Sequence, residues 1–340
     1  MSDPERRLRE ATLLGGICGL GVLSIVAAVL FGLGIAGAVV DAGSPIGGAL
    51  LFVATVGILT AARYEWTVLG TVADQIPVGL ARAERSVLAI LGGTVVTLGL
   101  AVEPGLSPIV AAAVVGVVAA VLLPGYAVPV YCGAFVGMTS PALFSTYWHA
   151  LVAGAVASAV FLAAQPVYHG IGGKLGTTAF VGVLATVAAT SGRFLSGPLP
   201  ALETLVLGVG FATVAATVTF WLHRELPVTP VLASGLVGVV GGAGLPFLFG
   251  SSGDLLAAAV FSASFAGMTD PRRIPHLGWI GLAGAFVGLA VVYTTPYLGG
   301  SGGKLGTIAF GSVLAVHAFL RSIDAVRIRK RHGQRKRDTT

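Results

Sequence analysis

Charge is scarce in this chain: only 10% of its 340 residues are Asp, Glu, Lys or Arg. A soluble domain carries about 25% charged residues, which cover its water-facing surface. Apolar residues make up 55% of the chain, 50 residues are glycine, and the mean hydropathy is +0.93. These values exclude a soluble enzyme and a disordered chain. They predict an all-α polytopic membrane protein, because the long apolar runs do not alternate as the strands of a membrane β-barrel do.

Cysteine and catalytic motifs are scarce as well. The two cysteines, Cys18 and Cys132, lie in apolar stretches and cannot form a disulfide framework or a metal cluster. The repeated GGKLGT motif lacks the spacing of a phosphate-binding P-loop. The segment GSSGD at 250–254 has serine between glycines, a weak resemblance to an intramembrane serine protease, but a Gly/Ser turn before a short helix explains it better. We therefore expect no enzyme activity, no cofactor and no bound metal.

Ten segments are apolar enough to cross a membrane as helices, given that a span needs about 20 residues. They are 11–40, 44–62, 86–102, 107–123, 148–165, 176–191, 201–222, 228–248, 276–298 and 304–320. Two further apolar stretches, 127–139 and 254–268, are shorter. We predict that each of these two forms a re-entrant or broken helix.

The positions of the basic residues predict the orientation. If the two short stretches do not cross, most basic clusters, including Arg193, Arg272 and Arg273, fall on the side of the N-terminus. We therefore expect a multi-pass protein of the cell membrane with both termini in the cytoplasm. Segment 63–85 is the largest predicted polar loop. The net charge of +6 comes from the tail, residues 323–340, which predicts contact with anionic lipid rather than binding to nucleic acid.

An internal duplication is the most specific feature of the sequence. GAFVGMTSP at 133–141 returns as SASFAGMTDP at 262–271, and GGKLGTTAF at 172–180 returns as GGKLGTIAF at 302–310. We divide the chain into a two-span region with its loop (1–85), repeat one (86–200), repeat two (201–322) and the basic tail (323–340). The charge pattern favours parallel repeats, whereas an inverted pair would follow if 254–268 crossed fully.

The repeated GGKLGT motif contains two of only four lysines in the chain, Lys174 and Lys304. The glycines permit a tight turn, and a lysine beside a helix N-terminus can bind an anion. Thr177 and Thr307 can cap the helices that start there. The alternative is that the lysines extend to the membrane surface while the glycines allow close packing. The predicted substrate-binding residues are Lys174, Lys304, Gly172, Gly173, Gly176, Thr177, Gly302, Gly303, Gly306, Thr307, Thr139 and Thr269.

The repeated GMT-x-P motif supplies the threonines of that set. Their hydroxyls could line a constriction, and the following proline marks the end of a short helix. The predicted gate consists of Phe135, Phe265, Met138 and Met268. The alternative is that these residues form a helix stop and pack in the core.

Together these features predict a permease or channel for a small, anionic solute, with its pathway between the two repeats. All fourteen acidic residues lie outside the predicted spans or near their ends, so strong coupling to protons or sodium is not expected. The alternative is a non-transporting membrane scaffold whose basic tail recruits a soluble partner or anionic lipid. A cation channel would require the lysines to face away from the pore. The expected partners are the lipid bilayer, the solute and, for the first two spans, a second copy of the chain.

Overall fold

The structure is a computed structural model that describes residues 3–73 and 80–337. Within these ranges it contains twelve α-helices and no strand beyond a single β-bridge between Leu195 and Gly299. The prediction of an all-α protein is therefore confirmed. The helices are α1 (Asp3–Ala36), α2 (Pro45–Ala73), α3 (Leu80–Val102), α4 (Pro108–Leu122), α5 (Ala127–Gly137), α6 (Tyr147–Ala163), α7 (Lys174–Ala189), α8 (Leu202–Glu225), α9 (Pro230–Phe249), α10 (Gly253–Gly267), α11 (Leu277–Tyr293) and α12 (Lys304–Arg337).

Six segments of the described chain are long and apolar enough to cross a membrane: Arg9–Asp41, Pro45–Thr71, Arg82–Val102, Leu202–Glu225, Pro230–Gly267 and Lys304–Val326. One of them, Pro230–Gly267, folds back on itself, because Gly253 of α10 packs against Pro246 of α9. Helices also occupy all ten predicted segments and both short stretches. These helices support a membrane-embedded protein with several long apolar segments.

Helix boundaries follow local sequence signals. Ser107 caps α4 by accepting a hydrogen bond from the backbone N–H of Val110 at 3.3 Å, and Pro108 is the first helical residue. Thr229 likewise caps α9 by accepting a hydrogen bond from the backbone N–H of Leu232, and Pro230 is the first residue of that helix. A hydroxyl cap followed by proline is a favoured helix start, since proline has no N–H to leave unpaired.

The polar loop predicted at 63–85 is wrong for most of its length, because α2 continues to Ala73 and α3 begins at Leu80. The buried face of α2 continues past the predicted end of the span, through Ala61, Glu65 and Leu69. This helical periodicity places Glu65 inside the bundle, where its side chain is 4% exposed. The expectation that acidic residues stay at or beyond the span ends is therefore wrong for Glu65.

The helices that start at the two lysine motifs, α7 and α12, are antiparallel where they touch. A Cβ on Gly176 would lie 2.5 Å from the Cα of Gly306, so only glycine permits this approach. Helices α4 and α9 are antiparallel as well, since Gly235 approaches Val117 and Gly242 approaches Ile109. The expected parallel orientation is therefore wrong for these two helix pairs. In the same contact, Gly173, which precedes α7, approaches Phe310, and Gly303, which precedes α12, approaches Phe180.

The bundle has two ends that differ in the loops they bring together. At the end that we call the tail end, loops 164–173 and 269–276 meet the C-terminal part of α12, and His317 lies 3.0 Å from the carbonyl oxygen of Arg273. At the opposite end, loops 139–146 and 294–303 meet the segment between α7 and α8. The two copies of the lysine motif meet in the middle of the bundle, where Gly176 lies against Gly306, and the loops that lead into them, 164–173 and 294–303, come from opposite ends.

Candidate functional site

Each lysine motif forms a turn with the same hydrogen bonds. Gly173, with φ of 80°, precedes α7, and the Nζ atom of Lys174 donates to the carbonyl oxygens of Ala164 and Val167, both at 2.6 Å. These carbonyls follow the C-terminus of α6, where a cation is favoured by the helix dipole. Two of the three N–H donors of the ammonium group are therefore used inside the protein.

The second copy makes the equivalent contacts. Gly303, with φ of 82°, precedes α12, and the Nζ atom of Lys304 donates to the carbonyl oxygen of Thr294 at 2.6 Å and to that of Tyr297. These carbonyls follow the C-terminus of α11. Both lysines thus stabilise the turn that connects the preceding helix to their own.

The two threonines of the GMT motifs join one copy to the other. The Oγ1 atom of Thr269 accepts a hydrogen bond from the backbone N–H of Gly172 at 3.2 Å, and Thr139 accepts one from Gly302 at 3.1 Å. Each hydroxyl also donates to a carbonyl of its own helix at 2.7 Å. The threonines therefore hold the lysine turns in place across the molecule.

The predicted caps Thr177 and Thr307 do not cap their helices. Each hydroxyl donates instead to a carbonyl one turn earlier, that of Gly173 or Gly303, at 3.2 Å. The cap position before α7 is Gly173 itself, which makes no side-chain cap bond. The capping prediction is wrong because the helix begins three residues before the threonine.

The predicted gate phenylalanines lie in contact at the centre of the bundle. The ring centroids of Phe135 on α5 and Phe265 on α10 are 4.7 Å apart. Tyr131 and Phe261 extend the cluster, with centroids 4.4 and 4.5 Å from those of Phe135 and Phe265. The methionines that follow, Met138 and Met268, are partly buried at the ends of α5 and α10. The sequence could not reveal that the two phenylalanines meet.

A cavity of about 520 Å³ connects this aromatic cluster with the first lysine turn. We call it the inner cavity. Six predicted site residues line it: Lys174, Gly172, Gly173, Phe135, Phe265 and Met268. Its wall also contains Arg82 and Ser86 of α3 and His169 of the turn. The other predicted residues are not in this wall: Lys304, Gly302, Gly303, Gly306, Thr307, Gly176, Thr177, Thr139, Thr269 and Met138.

A second cavity, of about 760 Å³, lies at the tail end, and sequence reasoning missed it. We call it the outer cavity. Its wall contains His169, Asp270, Arg272, Arg273, His276, Trp279, His317, Arg321 and Asp324. His169 belongs to the walls of both cavities, so the two are neighbours. Burial, reinforced by the charge of Lys174, lowers the pKa of His169.

An ion pair that the sequence analysis also missed supports the wall between the cavities. The Oε1 atom of Glu65 accepts a hydrogen bond from Nη1 of Arg273 at 2.6 Å, and its Oε2 atom accepts one from the backbone N–H of Tyr168 at 2.9 Å. The Nε atom of Arg273 donates to the carbonyl oxygen of His169 at 2.8 Å. Glu65 therefore ties α2 to the first lysine turn and to the loop before α11. The periodicity of α2 was the signal that could have revealed this buried carboxylate.

Comparison with protein-family models, with curated proteins and with solved structures found no match to this chain. A fold alone does not define a function, so the function is inferred from the lysine turns and the two cavities.

Proposed function

We propose that this protein is a permease or channel for a small anion, with its pathway between two inverted five-helix repeats, α3–α7 and α8–α12. The observation that carries the proposal is the charge of the inner cavity. Its wall contains the cations Lys174 and Arg82, and no carboxylate from the described residues belongs to it. A cavity of this kind in a membrane protein attracts anions and repels cations.

The antiparallel helix pairs support the inverted arrangement. In many secondary transporters, two inverted repeats meet at discontinuous helices near the bilayer midplane, and helix N-termini there face anionic groups. The turns before α7 and α12 are breaks of this type, and their helices touch at Gly176 and Gly306. In this arrangement both short helices, α5 and α10, cross rather than re-enter.

The same arrangement gives an orientation. Arg82, Arg272, Arg273 and Arg321 lie at the tail end, around the two cavities. The positive-inside rule then makes the tail end cytoplasmic, with both termini inside. Arg193 lies at the opposite end, near the bridge between Leu195 and Gly299.

The structure fits a state that is open towards the cytoplasm. Both cavities lie on the tail-end side of the aromatic cluster. At the opposite end, the backbone of Leu195 pairs with that of Gly299 in both directions, at 3.0 and 2.9 Å. The side chain of Leu143 covers the neighbouring Gly300. We infer that the anion enters from the tail end and that the aromatic cluster separates it from the far side.

The test is anion flux into proteoliposomes, with Lys174→Gln compared with Lys304→Gln. Both lysines make the same backbone bonds, so both variants should lose similar stability. Only Lys174 lines the inner cavity, and loss of a charged hydrogen-bond donor costs about 1.5–3 kcal/mol, so flux should fall about tenfold or more in K174Q. The K304Q variant should lose a smaller fraction of its anion flux.

Three results would contradict the proposal. Equal loss of flux in both variants, matching their loss of thermal stability, would assign the lysines a structural role alone. A reversal potential that follows the cation gradient would identify a cation channel. No flux of any ion from folded protein would exclude an ion pathway and favour the scaffold.

A further inference from the structure

We propose that an apolar groove beside α3 binds one anionic phospholipid, with an acyl chain in the groove and the phosphate group at Arg85 and Tyr126. The groove encloses about 670 Å³ between α3, α4 and the start of α5, and we call it groove one. It shares no wall residue with the inner cavity. Lipid binding therefore does not depend on transport, and the two proposals can fail separately.

The wall of groove one consists mainly of exposed apolar side chains. Leu88 and Val96 of α3 are 69% and 53% exposed. They belong to the segment Arg82–Val102, which is long and apolar enough to cross a membrane. From Arg85 to Leu100 the groove follows α3 for about 22 Å, at 1.5 Å per residue, whereas half of the hydrocarbon core is about 15 Å deep. An acyl chain that enters beside Arg85 can therefore lie along the groove.

The second copy contains an equivalent groove, which we call groove two. It encloses about 460 Å³ between α8, α9 and α10. Gly137 packs on Thr97 of α3 as Gly267 packs on Thr219 of α8, so the two helices correspond. The same offset in the sequence relates α4 to α9. The shared wall positions include Val96 with Val218, Val115 with Val237 and Val118 with Val240.

Groove one is larger because two side chains of α3 are smaller than their counterparts. Ala89 and Gly92 line groove one, where Phe211 and Val214 line groove two. A Cβ on Gly92 would meet no atom within 4 Å, so the space beside this residue is open. The duplicated fold therefore does not require the extra space, and we assign that space to the acyl chain.

Arg85 and Tyr126 form the polar end of groove one. The Nη1 atom of Arg85 donates to the hydroxyl of Tyr126 at 3.5 Å. The guanidinium group keeps further N–H donors and the hydroxyl keeps its hydrogen, so both can donate to one phosphate group. The neighbouring Glu84 is exposed and does not line the groove. Groove two has Leu207 at the position of Arg85, and its wall contains only apolar residues and glycine.

The charge of this end determines the type of lipid. Arg85 lies near the start of α3, at the tail end, and no carboxylate from the described residues lines the groove. In the orientation proposed above, the tail end faces the cytoplasmic leaflet, which contains the anionic lipids. A basic residue near such lipids favours them by about fivefold over zwitterionic ones.

Native mass spectrometry of the full chain, released from detergent, measures the binding of the first lipid molecule. Phosphatidylglycerol and phosphatidylcholine with the same acyl chains are compared. Phosphatidylglycerol should bind the parent protein about fivefold more tightly. Arg85→Gln should remove this preference and leave the affinity for phosphatidylcholine unchanged.

A second variant tests the position of the acyl chain. Gly92→Val places in groove one the side chain that groove two has at Val214. It should weaken the binding of both lipids by about fivefold or more, because the valine occupies the space of the chain. The protein itself should keep its stability, since the added side chain enters open space.

Each variant has a matched control. Arg321→Gln removes an exposed cation at the tail end that lies outside groove one. Gly210→Val changes a glycine of α8 that is equally open and lies outside both grooves. Both controls should bind the two lipids as the parent does, and thermal unfolding confirms that every variant is folded.

Four results would overturn the proposal. Equal affinities of the parent for the two lipids would remove the anionic preference. Unchanged binding of phosphatidylglycerol in R85Q, or an equal loss in R321Q, would show that Arg85 does not hold the phosphate group. Unchanged binding in G92V would exclude an acyl chain from groove one. A dimer of the parent that dissociates in G92V would assign the groove to a second copy of the chain.

Discussion

The two lysine turns share a backbone but differ in what surrounds them. At the tail end, Gly170 of the first turn accepts a hydrogen bond from the backbone N–H of Asp270 at 2.9 Å. At the opposite end, Gly300 accepts the equivalent bond from Ser140 at 2.8 Å. The first turn then meets Arg273, whereas the second meets Leu143 and Leu195. The hydrogen-bonded framework is the same for the two turns, but the side chains beside Gly170 are polar, whereas those beside Gly300 are mainly apolar.

Comparing the two turns shows which side chains the turn itself requires and which are specific to one copy of the motif. A group that makes the same contact in both copies, such as Lys174 and Lys304 with their carbonyls, is needed for the turn itself. A group present at one end only, such as Arg273 or His169, is not required by the turn. The residues specific to the tail end are therefore candidates for solute contact beside Lys174, which lines the inner cavity where Lys304 does not.

The ion pair of Glu65 gives the largest expected effect at the tail end. Glu65→Ala leaves Arg273 without its carboxylate and the N–H of Tyr168 without an acceptor. Removing one partner of a buried ion pair costs about 3–5 kcal/mol. The matched change at the opposite end is Asp41→Asn. It affects the exposed hydrogen bond that the hydroxyl of Tyr297 donates to Oδ2 of Asp41 at 2.6 Å. Its cost should be below about 1 kcal/mol.

Thermal unfolding in detergent measures this difference. The double variant E65L/R273M should recover much of the stability lost in E65A, because it removes both charges. Equal stability of E65A and D41N would show that the two ends are held equally and that the ion pair contributes nothing specific.

Alanine substitutions at the contact between Gly176 and Gly306 test whether the two helices pack against each other symmetrically. Gly176→Ala and Gly306→Ala each place a methyl group against the backbone of the other helix, with 2.5 Å between Cβ and Cα. Overpacking of this kind costs about 1–3 kcal/mol, and the cost should be the same for both variants. Gly210→Ala on α8, where no atom lies within 4 Å of the added Cβ, should be neutral or stabilising. Unequal losses in the two alanine variants would mean that the helices do not meet symmetrically.

The smallest expected effect concerns acid stability at Asp270, where the other copy has Ser140. Hydrogen bonds from Arg272 hold the pKa of the Asp270 carboxyl below its ordinary value. A lowered pKa stabilises the fold above the ordinary value of about 3.9, and this stability is lost as the pH falls through the folded pKa. Since Arg272 is exposed, the contribution should stay below about 1 kcal/mol.

Unfolding at pH 6 and at pH 3 measures this contribution. The loss of stability between these values should be slightly smaller in Asp270→Asn than in the parent protein. Ser140→Asn should keep the full pH dependence of the parent. A larger pH dependence in D270N would contradict the assigned direction of the shift.

Much of the helical architecture could be predicted from the sequence, because apolar runs and the Ser107 and Thr229 caps are local signals. Glu65 was missed because Arg63 and Glu65 interrupt the apolar run and suggested the start of a polar loop, although the buried face of α2 continues past them. The expected parallel direction was wrong for the pairs α7–α12 and α4–α9, because charge bias indicates orientation only statistically. The contact of Thr269 with Gly172 could not be found either, since a repeat establishes equivalence of residues and not their distance.

The bond between Glu65 and Arg273 joins residues 208 positions apart in the chain. A ribosome adds about 5–20 residues per second, so roughly 10–40 s separate the synthesis of the two partners. For that time α2 carries an acidic side chain whose partner has not been made. The ion pair at the tail end can form only after α10 and Arg273 have been synthesised. The packing of α2 is therefore completed only when the second half of the chain is present.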